Sequence, residues 1–370
     1  MNRPITVTQT FMPDIEVYQK ILYQIWETGQ ITNNGPVLRE LGNQLKAFLR
    51  VPNLEVLANG TLALQVAIKA LDLKGEIITT PYSYVATTNA ILWEGSDPVF
   101  VDVDHASFCI NPDLIEAAIT ERTSAILATH VYGYPCDVQR IQEIASRHYL
   151  KVIYDAAHTF GVKLNGESLL AHGDCSTLSF HATKLFHTVE GGAVVCRDAD
   201  IAQRVFLMSK FGHMGEDEYL DIGINAKMSE LHAAMGLAVL PRVPDLIAAR
   251  RQCAAWYDEF LADVKLQRPT VVDGLEYNYA YYPVVFRSHV AMMATRQTLQ
   301  NQGILPRRYF YPSLNTLPFL RDALRRSCPM SESLAMRVLC LPMYPSLSRE
   351  VIKQIASCVV LSLAYVEGMA

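Results

Sequence analysis

Lys184 lies in LSFHATKLFHTVEGGAVV (178–195), five residues after Ser179 and shortly before Gly191 and Gly192, where a strand-like run gives way to a loop. A lysine held in a partly dry pocket loses basicity and becomes a nucleophile capable of a Schiff base. Ser179 at the strand end and Lys184 in the loop can face one crevice while the two glycines turn the chain back. A second candidate is Asp155, which ends the apolar run KVIYDA and is followed by His158 and Gly161. A carboxylate at the carboxyl end of a strand lies where open α/β sheets bind their ligands. Third, Asn59, Gly60 and Thr61 stand between a strand and a helix. There Gly60 lets backbone approach an anion, Thr61 offers a hydroxyl, and the free N–H groups of the first helical turn complete a phosphate cradle. Each group also has a plain structural reading: a surface-loop lysine, a turn aspartate, an N-capping threonine.

The elements that must position these residues are seven short β-branched runs: EVLA (55–58), EIITT (76–80), DPVFVDV (97–103), SAILATHVYG (124–133), KVIYDA (151–156), CSTLSF (175–180) and GAVVC (192–196). Helical stretches separate several of them. The pattern predicts an α/β fold with a seven-stranded, mostly parallel sheet covered by helices on both faces, and the two short late spacings allow an antiparallel member. The helix TLALQVAIKAL (61–71) carries Leu64, Ala67, Ile68 and Leu71 on one apolar face and should pack on the sheet. Prolines at 241 and 244 interrupt a helical pattern, which sets an expected boundary near residue 245. The expected division is a large domain over 1–245 and a small C-terminal α+β domain over 246–370.

Half of the 370 residues are hydrophobic, enough for a sizeable core. A formal net charge of -5, with lysines and arginines scattered, argues against nucleic-acid binding. Eight cysteines without a CxxC pair read as reduced thiols, and the N-terminal stretch lacks the apolar core of a signal peptide. With no run near 18 uninterrupted apolar residues, the expectation is a cytoplasmic protein with no membrane partner. His181 and His187, or His130 and His158, do not form a set with ligand spacing, so no metal is expected. A nicotinamide enzyme is set aside because no GxGxxG opens a helix.

The motifs TNNGP (32–36), NGTLAL, TPYSYVATTNAI, VDVD, HVYGYPCD, DAAHTFG, SFHATK, EGGAVV, GINAKMSELHAAMGL, RRYFYP and LPMYP follow one another along nearly the whole chain. In this order and spacing the chain resembles the DegT/DnrJ/EryC1/StrS aminotransferases, pyridoxal-phosphate (PLP) enzymes that aminate keto sugars carried on nucleotides. The resemblance implies the type I aminotransferase fold. It also implies that Lys184 binds PLP as a Schiff base and shuttles a proton when the amino donor frees it. Asp155 would pair with the pyridinium nitrogen. Gly60, Thr61 and Ser179 would hold the cofactor phosphate, Tyr84 would stack on the ring, and His158, where many members have glutamine or glutamate, would lie near the 3-hydroxyl. Asn225 matches an asparagine that reaches the cofactor phosphate of a neighbouring subunit, which implies a homodimer with shared active sites. The family's N-Y-R-M is here Asn225-Ala226-Lys227-Met228, so the adjacent basic contact is altered.

The implied reaction runs in two halves through pyridoxamine phosphate, with L-glutamate as donor and a nucleotide-linked keto sugar as acceptor. The motifs are most similar to the branch acting on dTDP-4-keto-6-deoxyglucose, a route to viosamine and O-antigen sugars. Amination at C3 and a PLP- or nucleotide-sugar-binding regulator without turnover are the alternatives. Related sugar dehydratases carry histidine in place of the Schiff-base lysine, and Lys184 argues against that chemistry. Because the substrate is dianionic and the chain net acidic, local groups must bind it: Lys210, His213, Lys227, Arg307 and Arg308 are the candidates.

Overall fold

The computed structural model describes residues 4–368. In chain order its main elements are α1 (Ile15–Thr28), α2 (Pro36–Leu49), β1 (Leu54–Leu57), α3 (Gly60–Ala70), β2 (Glu76–Thr79), α4 (Val85–Trp93), β3 (Asp97–Phe100) and β4 (Thr123–Thr129). There follow α5 (Val138–Arg147), β5 (Lys151–Asp155), β6 (Cys175–Ser179), β7 (Gly192–Cys196), α6 (Ala199–Met208), α7 (Glu230–Val239) and α8 (Val243–Phe260). The C-terminal part adds β8 (Tyr282–Val285), α9 (His289–Asn301), α10 (Pro329–Arg337), β9 (Val338–Leu341) and α11 (Arg349–Gly368).

β1 to β7 form one seven-stranded sheet in the order β1-β7-β6-β5-β4-β2-β3. Only β7 runs antiparallel, between β1 and β6. All seven expected runs are therefore strands of a single sheet, with the antiparallel member among the late ones. The period-2 alternation of a strand distributes its side chains to two faces. Ile77, Leu127 and Ile153 go to the face covered by α3, α4 and α6, whereas Ile78, Ile126, Val152 and Tyr154 face α5 and residues from the C-terminal part. Nearer β1, Leu178, Ala193 and Val195 pack under α2 and α7.

Two expected strands stop short. The fourth ends at Thr129, where the chain leaves the sheet for a 3-10 turn over Val131–Gly133, although the His130 N–H still reaches the Asp155 carbonyl at 3.1 Å. The third ends at Phe100. Thr129 lies at the region beyond the sheet where a ligand fits, whereas Phe100 packs against Leu314, Leu317 and Leu320.

At the prolines, α7 passes through a 3-10 turn (Leu240–Arg242) into α8, with Pro244 in the first helical turn, where its missing N–H leaves no helical bond unmade. The 31-residue run Glu230–Phe260 is long and apolar enough to cross a membrane by composition. Its apolar residues Ala233, Met235, Val239, Val243 and Leu246 instead pack in the core beside β6 and β7. The last third of the chain has its own cluster, in which Tyr257 of α8, Tyr282 and Val284 of β8, and Ile352, Ile355 and Val359 of α11 pack together.

Candidate active site

A cavity of about 370 Å³ opens beyond the carboxyl ends of β4, β5 and β6. Gly60, Thr61, Tyr84, Asp155, His158, Ser179, Lys184 and Arg307 all line it, brought together from five parts of the chain. Asn59, Ser83, Thr129, His181, Glu190, Tyr281, Tyr309 and Phe310 complete much of the wall.

The start of α3 forms one end. Asn59 is its N-cap, accepting the Leu62 N–H at 2.9 Å, which leaves the earlier N–H groups of the helix without helical acceptors. A Cβ on Gly60 would stand 2.9 Å from Ser179 Cβ, and one on Gly192 would stand 2.6 Å from the Asn59 backbone. Glycine at both positions lets the helix N-terminus close onto the end of β6. The result is a concave group of N–H donors flanked by the Thr61 and Ser179 hydroxyls, a cradle for an anion.

Asp155, the last residue of β5, is buried. Its Oδ2 accepts the Thr87 hydroxyl at 2.7 Å and its Oδ1 the Ala157 N–H at 3.2 Å. Burial raises its pKa above the usual carboxylate value, and these two donors and the Lys184 charge oppose the rise. Lys184 follows β6 in a tight turn in which its N–H meets the His181 carbonyl at 2.8 Å. Among the described residues its Nζ has no hydrogen-bond or ion-pair partner. Burial lowers its pKa, with Asp155, Tyr309 and Tyr84 acting the other way. An amine with a depressed pKa and no partner, facing a cavity, is a nucleophile in waiting.

Aromatic rings shape the rest. Tyr84, the N-cap residue of α4, makes no side-chain cap bond and remains 57% exposed at the cavity mouth. His158 stacks on Phe310 with centroids 5.8 Å apart and meets the edge of Tyr281 at 4.8 Å. Its Nδ1 is buried without a protein partner, and burial together with the Lys184 charge holds the ring neutral. A neutral imidazole there can donate or accept one hydrogen bond.

An all-apolar pocket would not need this set; an anion cradle, a buried carboxylate, an unpartnered lysine and aromatic walls suit a flat, phosphorylated, aldehyde-bearing cofactor.

The model for the DegT/DnrJ/EryC1/StrS aminotransferase family matches residues 14–360. The chain belongs to that family. Its members are PLP-dependent aminotransferases, and the groups just described fit that cofactor. A dTDP-4-amino-4,6-dideoxy-D-glucose transaminase of Shigella dysenteriae is 41% identical over 97% of this chain and 99% of its own. A protein of the same name from Escherichia coli is 38% identical over 96% and 97%. The crystal structure of DesI with its TDP-sugar product superposes with a TM-score of 0.92 at 33% identity, covering all of this chain and 94% of that one.

The remaining candidates lie elsewhere in this family member. Arg308, although next to Arg307, turns away from the cavity: it donates to the Ala335 carbonyl at 3.1 Å and stacks 3.3 Å from the Tyr311 ring centroid. Lys210, His213, Asn225 and Lys227 sit on an exposed segment outside the cavity. Lys210 and Asn225 form a β-bridge, Lys227 donates to Asn225 Oδ1 at 2.7 Å, and His213 packs on Tyr219.

Sequence reasoning missed Ser83, Thr87 and Thr129, and the aromatic wall Tyr281, Tyr309 and Phe310. Hydroxyls four residues apart at the start of a helix, Ser83 and Thr87, were the available signal.

Proposed function

We propose that the chain transfers the amino group of L-glutamate to C4 of dTDP-4-keto-6-deoxy-D-glucose, giving dTDP-4-amino-4,6-dideoxy-D-glucose and 2-oxoglutarate. The observation that carries this reading is the unpartnered Lys184 in a cavity shared with the buried Asp155 and the helix cradle; the names of the Shigella dysenteriae and Escherichia coli relatives support the sugar.

On this reading the first-turn N–H groups of α3, with Gly60, Thr61 and Ser179, bind the cofactor phosphate. Asp155 accepts from the ring nitrogen, Tyr84 covers one ring face, and His158 hydrogen-bonds the ring hydroxyl. PLP, when bound, supplies the electron sink that lets the donor's α-carbon lose its proton. Lys184 would hold the cofactor through Nζ and, with Nζ free, would take that proton and return it on the other side of the exchange. Its depressed pKa favours the free amine that both tasks need. Arg307, the cavity's other strong cation, meets the anionic part of a substrate.

The working unit is a homodimer in which Asn225 and Lys227 serve the partner's cavity. The support is that Asn225 is exposed outside its own chain's cavity, on a segment that also exposes Phe211, Met214, Tyr219, Leu220 and Ile222.

The test is the absorbance spectrum of the purified protein before and after L-glutamate, followed by addition of dTDP-4-keto-6-deoxyglucose and NMR of the product. Conversion of bound PLP to the pyridoxamine form and an amine on C4 are expected. An amine on C3 would move the chain to the other branch, and PLP untouched by any amino donor would establish the regulator reading.

A further inference from the structure

Asp155 is the end of a chain of hydroxyls. Thr129 Oγ1 donates to Ser83 Oγ at 3.0 Å, Ser83 and Thr87 hydroxyls are 2.8 Å apart, and Thr87 Oγ1 donates to Asp155 Oδ2 at 2.7 Å. All four residues are buried. They come from the end of β4, the turn before α4, the first turn of α4 and the end of β5, and Thr129 pairs with Asp155 in the sheet register.

A hydroxyl carries one hydrogen, which sets the direction of the chain. Thr87 gives its hydrogen to the carboxylate, so Ser83 must give its own to Thr87, and Thr129 gives its own to Ser83. Every hydrogen points toward Asp155, and none is left over. A proton on Oδ2 would reverse the last link: Asp155 would donate to Thr87, and Thr87 to Ser83. Ser83 would then receive two donors while its own hydrogen lay buried without an acceptor. A buried unmade hydrogen bond is costly, and a chain of aligned hydroxyls strengthens each of its links, so the arrangement favours the ionised carboxylate.

We propose that Thr87, backed by Ser83 and Thr129, is a positioning residue that keeps Asp155 ionised and turned toward the cavity, so that the cofactor's ring nitrogen retains its proton. The inference rests on the reading of Asp155 as the partner of that nitrogen. It adds three residues whose hydroxyls act through the carboxylate, two of which, Ser83 and Thr129, also line the cavity. Ser83 and Thr87 also bracket Tyr84, so the same clamp holds the backbone that presents the tyrosine to the cavity.

The experiment titrates apoprotein with PLP, and with PLP labelled with nitrogen-15 in the ring, for wild type, T87V, T87S, S83A and D155N. T87V keeps the shape of the side chain and removes the donor; T87S restores it. Hydrogen bonds to a charged acceptor have a size that predicts about a tenfold rise in the PLP Kd for T87V and about threefold for S83A, with T87S within about twofold of wild type. The ring-nitrogen resonance should be that of the protonated form in wild type and T87S and shift toward the unprotonated form in T87V. S83A provides a second route should T87V fold poorly. Native affinity and a protonated nitrogen in both T87V and S83A would overturn the proposal. If D155N also behaves as wild type, the assignment of Asp155 falls instead; if D155N is impaired while T87V and S83A are not, the relay alone falls.

Discussion

The cavity beyond β4, β5 and β6 and the exposed segment 211–227 both carry residues that the family resemblance places at one site, yet they are built in opposite ways. In the cavity the carboxylate has two donors, the hydroxyls are aligned, and Lys184 Nζ and His158 Nδ1 are without partners among the described residues. On the segment, Tyr219 and Ile222 are 66% and 67% exposed, and the polar groups Asn225 and Lys227 bond mainly to each other. The difference teaches that folding one chain finishes the buried chemistry while leaving apolar side chains exposed on the segment, the surface that the proposed dimer would cover. On the proposed function, a single chain thus holds a well-ordered cavity and still lacks the Asn225 contact that a partner would supply.

The largest effect expected is on the cavity side. K184A should lower amino-sugar formation by about 10³-fold or more, since on the proposed function Lys184 serves both attachment and proton transfer. Because its Nζ has no partner among the described residues, the same variant should melt no lower than wild type; a large loss of stability would show that the lysine has a structural role. On the segment side, the double variant Y219D/I222D should weaken self-association by about 100-fold, on the scale of two large apolar side chains removed from an interface. Sedimentation velocity would read the association, and activity per chain should fall with it on dilution. Full activity in a monomer would erase the contrast between the two regions.

Two smaller effects sharpen it. R307A should raise the KM for the nucleotide sugar about tenfold, whereas R308A should change it less than about threefold, because only the first arginine lines the cavity. Steady-state kinetics with each substrate varied would separate them, and equal effects would contradict the placement of Arg308. The smallest concerns stability against acid. His130 is buried against Tyr154 with its Nε2 unpartnered, and burial, with His172 adding to it, pushes its pKa down to about 3. Below about pH 6.5 the unfolded chain takes up a proton that the folded ring refuses, so stability falls as pH drops from about 6.5 toward 3. H130N should remove about 1 kcal/mol of the loss between pH 6.5 and 5.5, measured by urea unfolding at the two pH values.

Much was legible without coordinates. The seven strands could be read because β-branched runs bounded by turn residues have few other ways to bury themselves. The two ends of the cavity could be read because their signals are local: a glycine and threonine opening a helix, an aspartate closing a strand, a lysine in the loop after one. The strand ends at Phe100 and Thr129 were overestimated because the apolar pattern continues past the point where the chain turns away from the sheet.

What the amino-acid order determined by itself was the chemistry of each side chain and the local element that carries it, since both depend on neighbours a few residues away. Tertiary structure decided which of these groups meet. Thr87 reaches Asp155 across 68 positions and Thr129 reaches Ser83 across 46, contacts no short-range periodicity encodes. It also sent Arg307 into the cavity and Arg308 to the Ala335 carbonyl, although the two are adjacent and chemically identical. Adjacent side chains of an extended segment point to opposite sides, and only the packing of the surrounding elements says which side holds the ligand.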